Sequence, residues 1–474
     1  MRRAAIIVPA ILAAAAAACS FAPPYQVPDT AKTPGQYKEL GDWKIAQPQD
    51  PAPRGSWWTL YDDAELTALE DRIEDSNLTL KAAFARLEYA RAQYRIARAD
   101  LFPTVTADPY ATRERYSSHA PKSVPGYPTL LNDFLVGADF SYEIDLWGRV
   151  RNEVSAARAN RQASAADLAS IELSLRAQLA EDYFNLRAAD AEVSLLDRTA
   201  EDYKKTLGLV THLFQGGAAA LSDVAQAQAQ FDNALTQSAD VRLQRAQAEH
   251  AIAVMVGENP STFSLPVNPL PIRVTPPRVD PGLPSTLLER RPDIAEAERR
   301  VAGANAQIGV ARAAYFPRFA LGATGGFEST ATSNLFSLPS TFWSVGPQVS
   351  VPIFEGGRLV AQTAQAKASY TEQVADYRNT VLTAYQDVED NLAALRQLQA
   401  ESETVAEAVK ATGTALQQAQ DRYNAGIVTF LEVATAEAAA LQAQVTAVKL
   451  HARRMSASVL LIKALGGGWQ SPPT

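Results

Sequence analysis

The chain repeats its own landmarks, and this repetition limits its possible folds more than any other feature. Arg95-Ile-Ala-Arg-Ala-Asp-Leu-Phe-Pro103 is echoed by Gly309-Val-Ala-Arg-Ala-Ala-Tyr-Phe-Pro317, an offset of 214 residues. Trp147-Gly-Arg149 is echoed by Gly356-Gly-Arg358. Phe214-Gln-Gly-Gly217, followed by Asp223-Val224, is echoed by Tyr423-Asn-Ala-Gly426, followed by Glu432-Val433; both of these pairs are offset by 209. So steady an offset marks an internal duplication. Each half reads helix, strand, loop, strand, long helix, tight turn, helix. We expect a first structural repeat over 62–284 and a second over 285–474.

The strands carry one consistent signal. Over 134–144, Phe134, Val136, Ala138, Phe140, Tyr142 and Ile144 alternate with Leu135, Gly137, Asp139, Ser141 and Glu143. Over 343–353, Trp343, Val345, Pro347, Val349, Val351 and Ile353 alternate with Ser344, Gly346, Gln348 and Ser350. A strand at about 318–327 places Phe319, Leu321, Ala323 and Phe327 on one face, and a weaker one is expected at about 104–112. Alternation over about ten residues is what a transmembrane barrel strand requires, one face meeting lipid and the other water; a half-buried strand of a soluble sandwich alternates equally well. The loops at 114–133 and 328–341 are rich in Ser, Pro and Thr, as extracellular barrel loops are. Four strands cannot close a barrel, and an open edge in lipid is prohibitive. Two copies would fill their lumen with side chains, whereas three would give about 12 strands and leave a pore.

The helical blocks at 149–214 and 357–424 contain no proline. Each would reach roughly 100 Å if continuous. The apolar spacing of the first, about 148–213, is that of coiled-coil-like packing, and with their partner helices the two blocks are expected to form long pairs over 149–256 and 357–465. Ala is dense in them, which lets helices pack side by side around a channel; an ordinary helical bundle is the plainer reading of the helices alone. Residues 62–100 also read as helical, ending before Pro103.

The chain opens on Met1-Arg-Arg3, an apolar run from Ala4 to Ala18, and Cys19, its only cysteine. That is a signal peptide over 1–18 with Cys19 placed for lipidation, and Ser20 after it points to outer-membrane export. Residues 19–61, rich in Pro, Asp and Gln, are expected to run as an extended segment away from the anchor. The formal net charge of −8 argues against nucleic acid. His119, His212, His250 and His451 are scattered without ligand spacing, no phosphate-cradling glycine loop appears, and neither enzyme chemistry nor a cofactor nor a metal is expected.

These motifs resemble the TolC-like outer-membrane efflux proteins, specifically the lipoprotein subgroup serving resistance–nodulation–division pumps. The most specific stretches are Leu287-Leu-Glu-Arg-Arg-Pro-Asp-Ile294 and Ala304-Asn-Ala-Gln-Ile-Gly-Val-Ala-Arg-Ala-Ala-Tyr-Phe-Pro317, with Ser56-Trp-Trp58, Asp145-Leu-Trp-Gly-Arg149 and Arg422-Tyr-Asn-Ala-Gly426 in order around them. The resemblance implies a mainly α fold with a transmembrane β part: a trimeric 12-strand β-barrel continuous with a 12-helix periplasmic α-barrel. It implies an exit duct through which drugs or other small molecules pass passively. The expected partners are a periplasmic adaptor protein, an inner-membrane resistance–nodulation–division transporter and outer-membrane lipid.

The same resemblance assigns the tight turns at Gly216, Gly217, Gly426 and Ile427 to an adaptor-docking tip, and Glu432, reinforced by Asp223, to an acidic periplasmic aperture. Val428 and Thr435 stand where the family often carries a basic residue and a second acid, which puts gate salt bridges in question. A different class of reading, a lipid-anchored periplasmic adaptor or coiled-coil scaffold, would not require duplicated amphipathic strand hairpins.

Overall fold

The computed structural model describes residues 20–30, 33–40, 55–117, 130–271, 275–277 and 290–467. The signal peptide, Cys19, His119, much of the loop at 114–133, residues 41–54, Leu287-Leu-Glu289 and the junction between residues 284 and 285 lie outside them.

The duplication is written in the helix lengths. Helix α2 (Leu78–Ala99) and α5 (Pro292–Ala313) have 22 residues each; α3 (Arg149–Gln215) and α6 (Arg358–Asn424) have 67 each; α4 (Leu221–Met255) and α7 (Phe430–Ala464) have 35 each. The first half adds α1 (Ala64–Ser76). The helical run read over 62–100 is thus two helices. Asn77 separates them: its backbone is extended, its Oδ1 accepts from the Leu80 amide at 2.9 Å, and its Nδ2 donates to the Met255 carbonyl at 2.8 Å. An asparagine that caps the following helix breaks a run whose apolar spacing never falters. No described helix is long and apolar enough to cross a membrane.

The chain divides into two compact units. One comprises residues up to Asp29, Arg86–Ser164 and Glu296–Tyr377. It holds the whole sheet: β1 (Thr104–Ala107), β2 (Tyr110–Arg115), β3 (Leu130–Ile144), β4 (Arg318–Ser329) and β5 (Thr341–Ser350), all antiparallel. β1 and β2 pair with β3 in one unbroken register, Thr104 opposite Ser141 and Tyr110 opposite Leu135. They are one strand interrupted at Asp108-Pro109, where the proline has no amide to give to the ladder. Pairing continues from Phe140 to Ala323 and from Ala323 to Val345. The register therefore puts Val105, Val136, Phe140, Ile144, Phe319, Phe327, Trp343, Val345 and Val349 on one face. That face is open in the protomer, Trp343 being 78% and Val105 68% exposed. The other face carries Thr104, Thr106, Asp139, Ser141, Glu143, Thr324 and Gln348.

In this unit the N-terminal segment is seated along α5, and it runs antiparallel to it. The Phe21 ring stacks on Phe316 at 4.4 Å, beside Trp147. Arg312 donates to the Phe21 carbonyl, Asn305 donates to the Pro23 carbonyl at 2.8 Å, and the Tyr25 hydroxyl meets Glu298. Gly309 makes the close approach possible, because a Cβ there would lie 2.7 Å from that of Ala22 and 2.4 Å from Asn152 Nδ2. The sequence pattern, extended and without periodicity, gives the conformation of this segment but not its seat.

The other unit comprises Thr30–Ala85, Ala165–Ala295 and Arg378 onwards. Its core packs Trp57, Trp58, Tyr61, Leu66, Ile73, Tyr183 and Phe184. The Arg176 guanidinium lies over the Trp58 ring at 4.4 Å, and Tyr61 shares a 2.7 Å hydrogen bond with Ser458. Arg291 is buried and donates to Asp293, to Asp387 at 2.9 Å and to the Ala464 carbonyl at 3.1 Å. It thereby joins the start of α5, the middle of α6 and the end of α7. Pro292 opens α5, where a missing amide does no harm.

Candidate aperture and tip site

The two tight turns join α3 to α4 and α6 to α7, and they are built alike. At the first, the Gly217 amide donates to Phe214 O at 2.9 Å and the Ala218 amide to Leu213 O at 2.8 Å. At the second, the Gly426 amide donates to Tyr423 O at 2.9 Å and the Ile427 amide to Arg422 O at 2.9 Å. Both are Schellman helix ends, which require a left-handed residue one place past the cap. Gly217 and Gly426 fill that place with φ of +74° and +70°. Gly216, one residue earlier, has no positive φ.

Behind the turns lies an apolar cluster of Val210, Ala227, Ala419, Phe430, Val433 and Ala434, with Tyr423 packed edge-on to Phe430 at 5.8 Å. Gln230 Nε2 ties α4 to α7 by donating to the Ala434 carbonyl. The outer surface is different: Leu221, Ile427 and Leu431 are 65%, 67% and 60% exposed. The double turn presents apolar side chains to solvent.

Each turn is followed by an acid in the first turn of the next helix, where the helix dipole favours it. The two acids are used differently. Asp223 reaches back and accepts from the Ala220 amide at 3.3 Å, so it caps its own helix. Glu432 instead meets Arg422, whose Nη1 donates to its Oε2 at 3.3 Å. Both partners are about half exposed, which makes the pair a weak contributor to stability. Its effect is on local charge, because it places a cation beside the acid. Within the protomer the cation beside Glu432 is thus Arg422. Thr435 donates to the Leu431 carbonyl at 2.8 Å, within its own helix.

Two residues of this region were not singled out from the sequence. Arg422 lies ten residues before Glu432, and only the turn brings them together. Glu437, five residues after Glu432, is 6% exposed and continues the buried stripe of Phe430, Val433, Ala434 and Ala440 along α7. That helical phase was the available signal. Its Oε2 has no hydrogen-bond partner among the described residues. Burial pushes its carboxyl up to about 7, opposed by a hydrogen bond from Gln420 and reinforced by Asp202. His212 closes α3, His250 lies on α4 and His451 is buried on α7.

A duplicated protomer with an open apolar sheet face and two long helical pairs ending in glycine turns fits a channel subunit. The model of the family described as outer membrane efflux protein matches residues 69–258 and 283–467, and the chain belongs to that family. It is similar to outer membrane protein OprJ of Pseudomonas aeruginosa, 33% identical over 99% of this chain and 97% of that protein. It is also similar to the cation efflux system protein CusC of Escherichia coli, 29% identical over 98% of this chain and 99% of that one. Among solved structures it resembles the outer-membrane channel OprN with a TM-score of 0.87 at 29% identity, covering 96% of this chain and 100% of that one. The protein is thus an outer-membrane efflux channel, the exit duct of a pump.

Proposed function

We propose that three copies of the chain form one continuous duct, and that substrates cross it passively. The observation that carries this reading is the sheet. It has an apolar face on one side, a polar face on the other, and two edges, β1–β2 and β5, unpaired among the described residues. Such a sheet is stable in lipid only if neighbouring copies close it, and three copies give about 12 strands with a lumen. The repeats at 62–284 and 285–474 then supply alternating helix pairs to a periplasmic barrel.

Cys19 is the lipidated residue. Ser20 and Phe21 beside it are held against Asn152, Phe316 and Trp147 at the base of the sheet, which supports acyl chains entering the periplasmic leaflet there. The tip, with Gly216, Gly217, Gly426 and Ile427, docks on a periplasmic adaptor linked to an inner-membrane resistance–nodulation–division transporter. Glu432 and Asp223 face the narrowed aperture and give it cation preference. Substrate choice lies with the transporter.

The test is the protein mass of the full-length chain purified from outer membranes in mild detergent. Three copies of 51.0 kDa come to about 153 kDa, somewhat less after signal removal. A detergent-requiring particle near that mass supports the duct. A water-soluble monomer would overturn it in favour of an adaptor or scaffold.

A further inference from the structure

The apolar face of the sheet carries two cations at one end. Along the edge strand that face reads Val105, Ala107, Ala111 and then Arg113 and Arg115, opposite Asn132 and Leu130 of β3. Both arginines are exposed, as are Val105 and Ala111. Charge on a lipid-facing strand is costly at mid-membrane and nearly free at the headgroups. Distance along the strand decides which applies. From Thr104 to Arg113 is roughly 30 Å of strand. A tilt of about 40° makes that roughly 23 Å along the membrane normal, close to the apolar band of about 25 Å in such barrels. Arg113 and Arg115 therefore stand one membrane thickness from the helix-bearing end, at the rim that carries the loops.

The rest of this rim fits a headgroup layer. On the same face, near the loop ends of β4 and β5 and level in the pairing with Val136 and Ala138 of β3, are Phe327 and Trp343, the latter 78% exposed, and the loop residue Phe336 is edge-on to Phe327 at 5.5 Å. Such aromatic rings mark the interface between hydrocarbon and headgroups. The rim is also divided by charge. Its acids, Glu114, Asp133 and Glu328, lie on the opposite face, where Asp133 accepts from the Tyr110 hydroxyl at 2.9 Å. The loop from 330 to 340 contains no charged residue. In a chain of net charge −8, the lipid-facing rim is cationic.

We propose that Arg113 and Arg115 bind the phosphate groups of anionic lipid in the outer leaflet, holding the barrel at its depth. Guanidinium groups suit this ligand because each offers paired donors to a phosphate. The inference rests on the membrane-spanning reading above.

The probe is diphosphoryl lipid A, added to the detergent-purified full chain and counted as bound lipid by native mass spectrometry. The expected result is retention of diphosphoryl lipid A, with binding at least about tenfold weaker for its dephosphorylated form. R113Q/R115Q should lose as much, R113K/R115K should keep part of the binding, and E114Q on the opposite face should be unchanged. Inorganic phosphate should not compete, because the lipid is held by its chains as well as its headgroup; displacement by it would overturn the lipid assignment. Equal binding of the two lipid forms by the wild-type chain would overturn the proposal even if the variants fail to fold. A detergent-requiring particle indifferent to lipid phosphate sinks this inference alone, whereas a water-soluble particle sinks the duct as well.

Discussion

Glu437 allows a quantitative test of the packing above the tip. It lies between α3, which offers Asp202 and Tyr203, and α6, which offers Gln420. Lys205 is paired with Asp202 at 3.1 Å on the exposed side. Burial moves the carboxyl from the ordinary 4.5 to about 7. In the unfolded chain the group ionises at its ordinary value, so below about 4.5 it is neutral in both states and has no effect on stability. Between about 4.5 and 7 the unfolded chain releases the proton and the folded protein keeps it, so stability falls as pH rises. Above about 7 the full penalty is present, on the order of 3 kcal/mol.

Glu437→Gln keeps the shape and removes the titration. The duplicated half already carries Gln228 at the matching place, 209 residues earlier. The variant should be more stable than the wild type at pH 8 by about 1–3 kcal/mol and indistinguishable from it at pH 4.5. Thermal unfolding in detergent, followed by the helical circular dichroism signal at both pH values, measures this. A stability difference that is the same at pH 4.5 and pH 8 would refute the reasoning, because packing changes carry no pH dependence and a buried titrating carboxyl must.

At the aperture, Glu432→Ala should weaken cation selectivity in single-channel bilayer recordings, and Arg422→Ala should strengthen it by leaving the carboxylate unpaired. Selectivity unchanged in both variants would remove this pair from the conduction path. At the first turn, Gly217→Ala should cost about 1 kcal/mol or more, because its φ of +74° is unfavourable for any residue with a Cβ. Gly216→Ala, with only ordinary contacts at 3.5 Å and no positive φ, should be neutral or slightly stabilising. Chemical denaturation of the two variants side by side separates backbone strain from mere loss of a glycine.

Features repeated along the chain are the ones that were legible in it. Alternation assigns Phe140, Val345 and Trp343 to one sheet face, and the observed register joins them across three strands. The spacing of Gly217 and Gly426 marks turns, and both positions have the left-handed backbone that only glycine adopts freely. The rest depends on single side chains whose partners are far away in sequence. Asn77 breaks a helix because its amide reaches Met255, 178 residues on. The N-terminal segment is ordered by Asn305 and Arg312, which no local pattern announces. Arg422 was visible in a motif, but its meeting with Glu432 exists only once the chain has turned.

The duplication also makes the chemistry of the tip asymmetric. The halves share a turn geometry down to the hydrogen bonds, yet their side chains differ, and three of the differing positions bear on charge. Leu213 corresponds to Arg422, Asp223 to Glu432, and Gln228 to Glu437. In the first half the acid is used locally, to cap the helix that follows it. In the second, the added arginine draws the acid away from the helix end, and a second carboxyl is buried below it. A backbone that needs only a left-handed glycine and an apolar plug leaves these side chains free to diverge. At these positions the added arginine and the buried carboxyl both fall in the α6–α7 hairpin, while the α3–α4 hairpin retains the simpler capped end. Substitutions at Arg422, Glu432 and Glu437 should therefore change conductance or its pH dependence more than those at Leu213, Asp223 and Gln228, although the two sets occupy equivalent places in the fold.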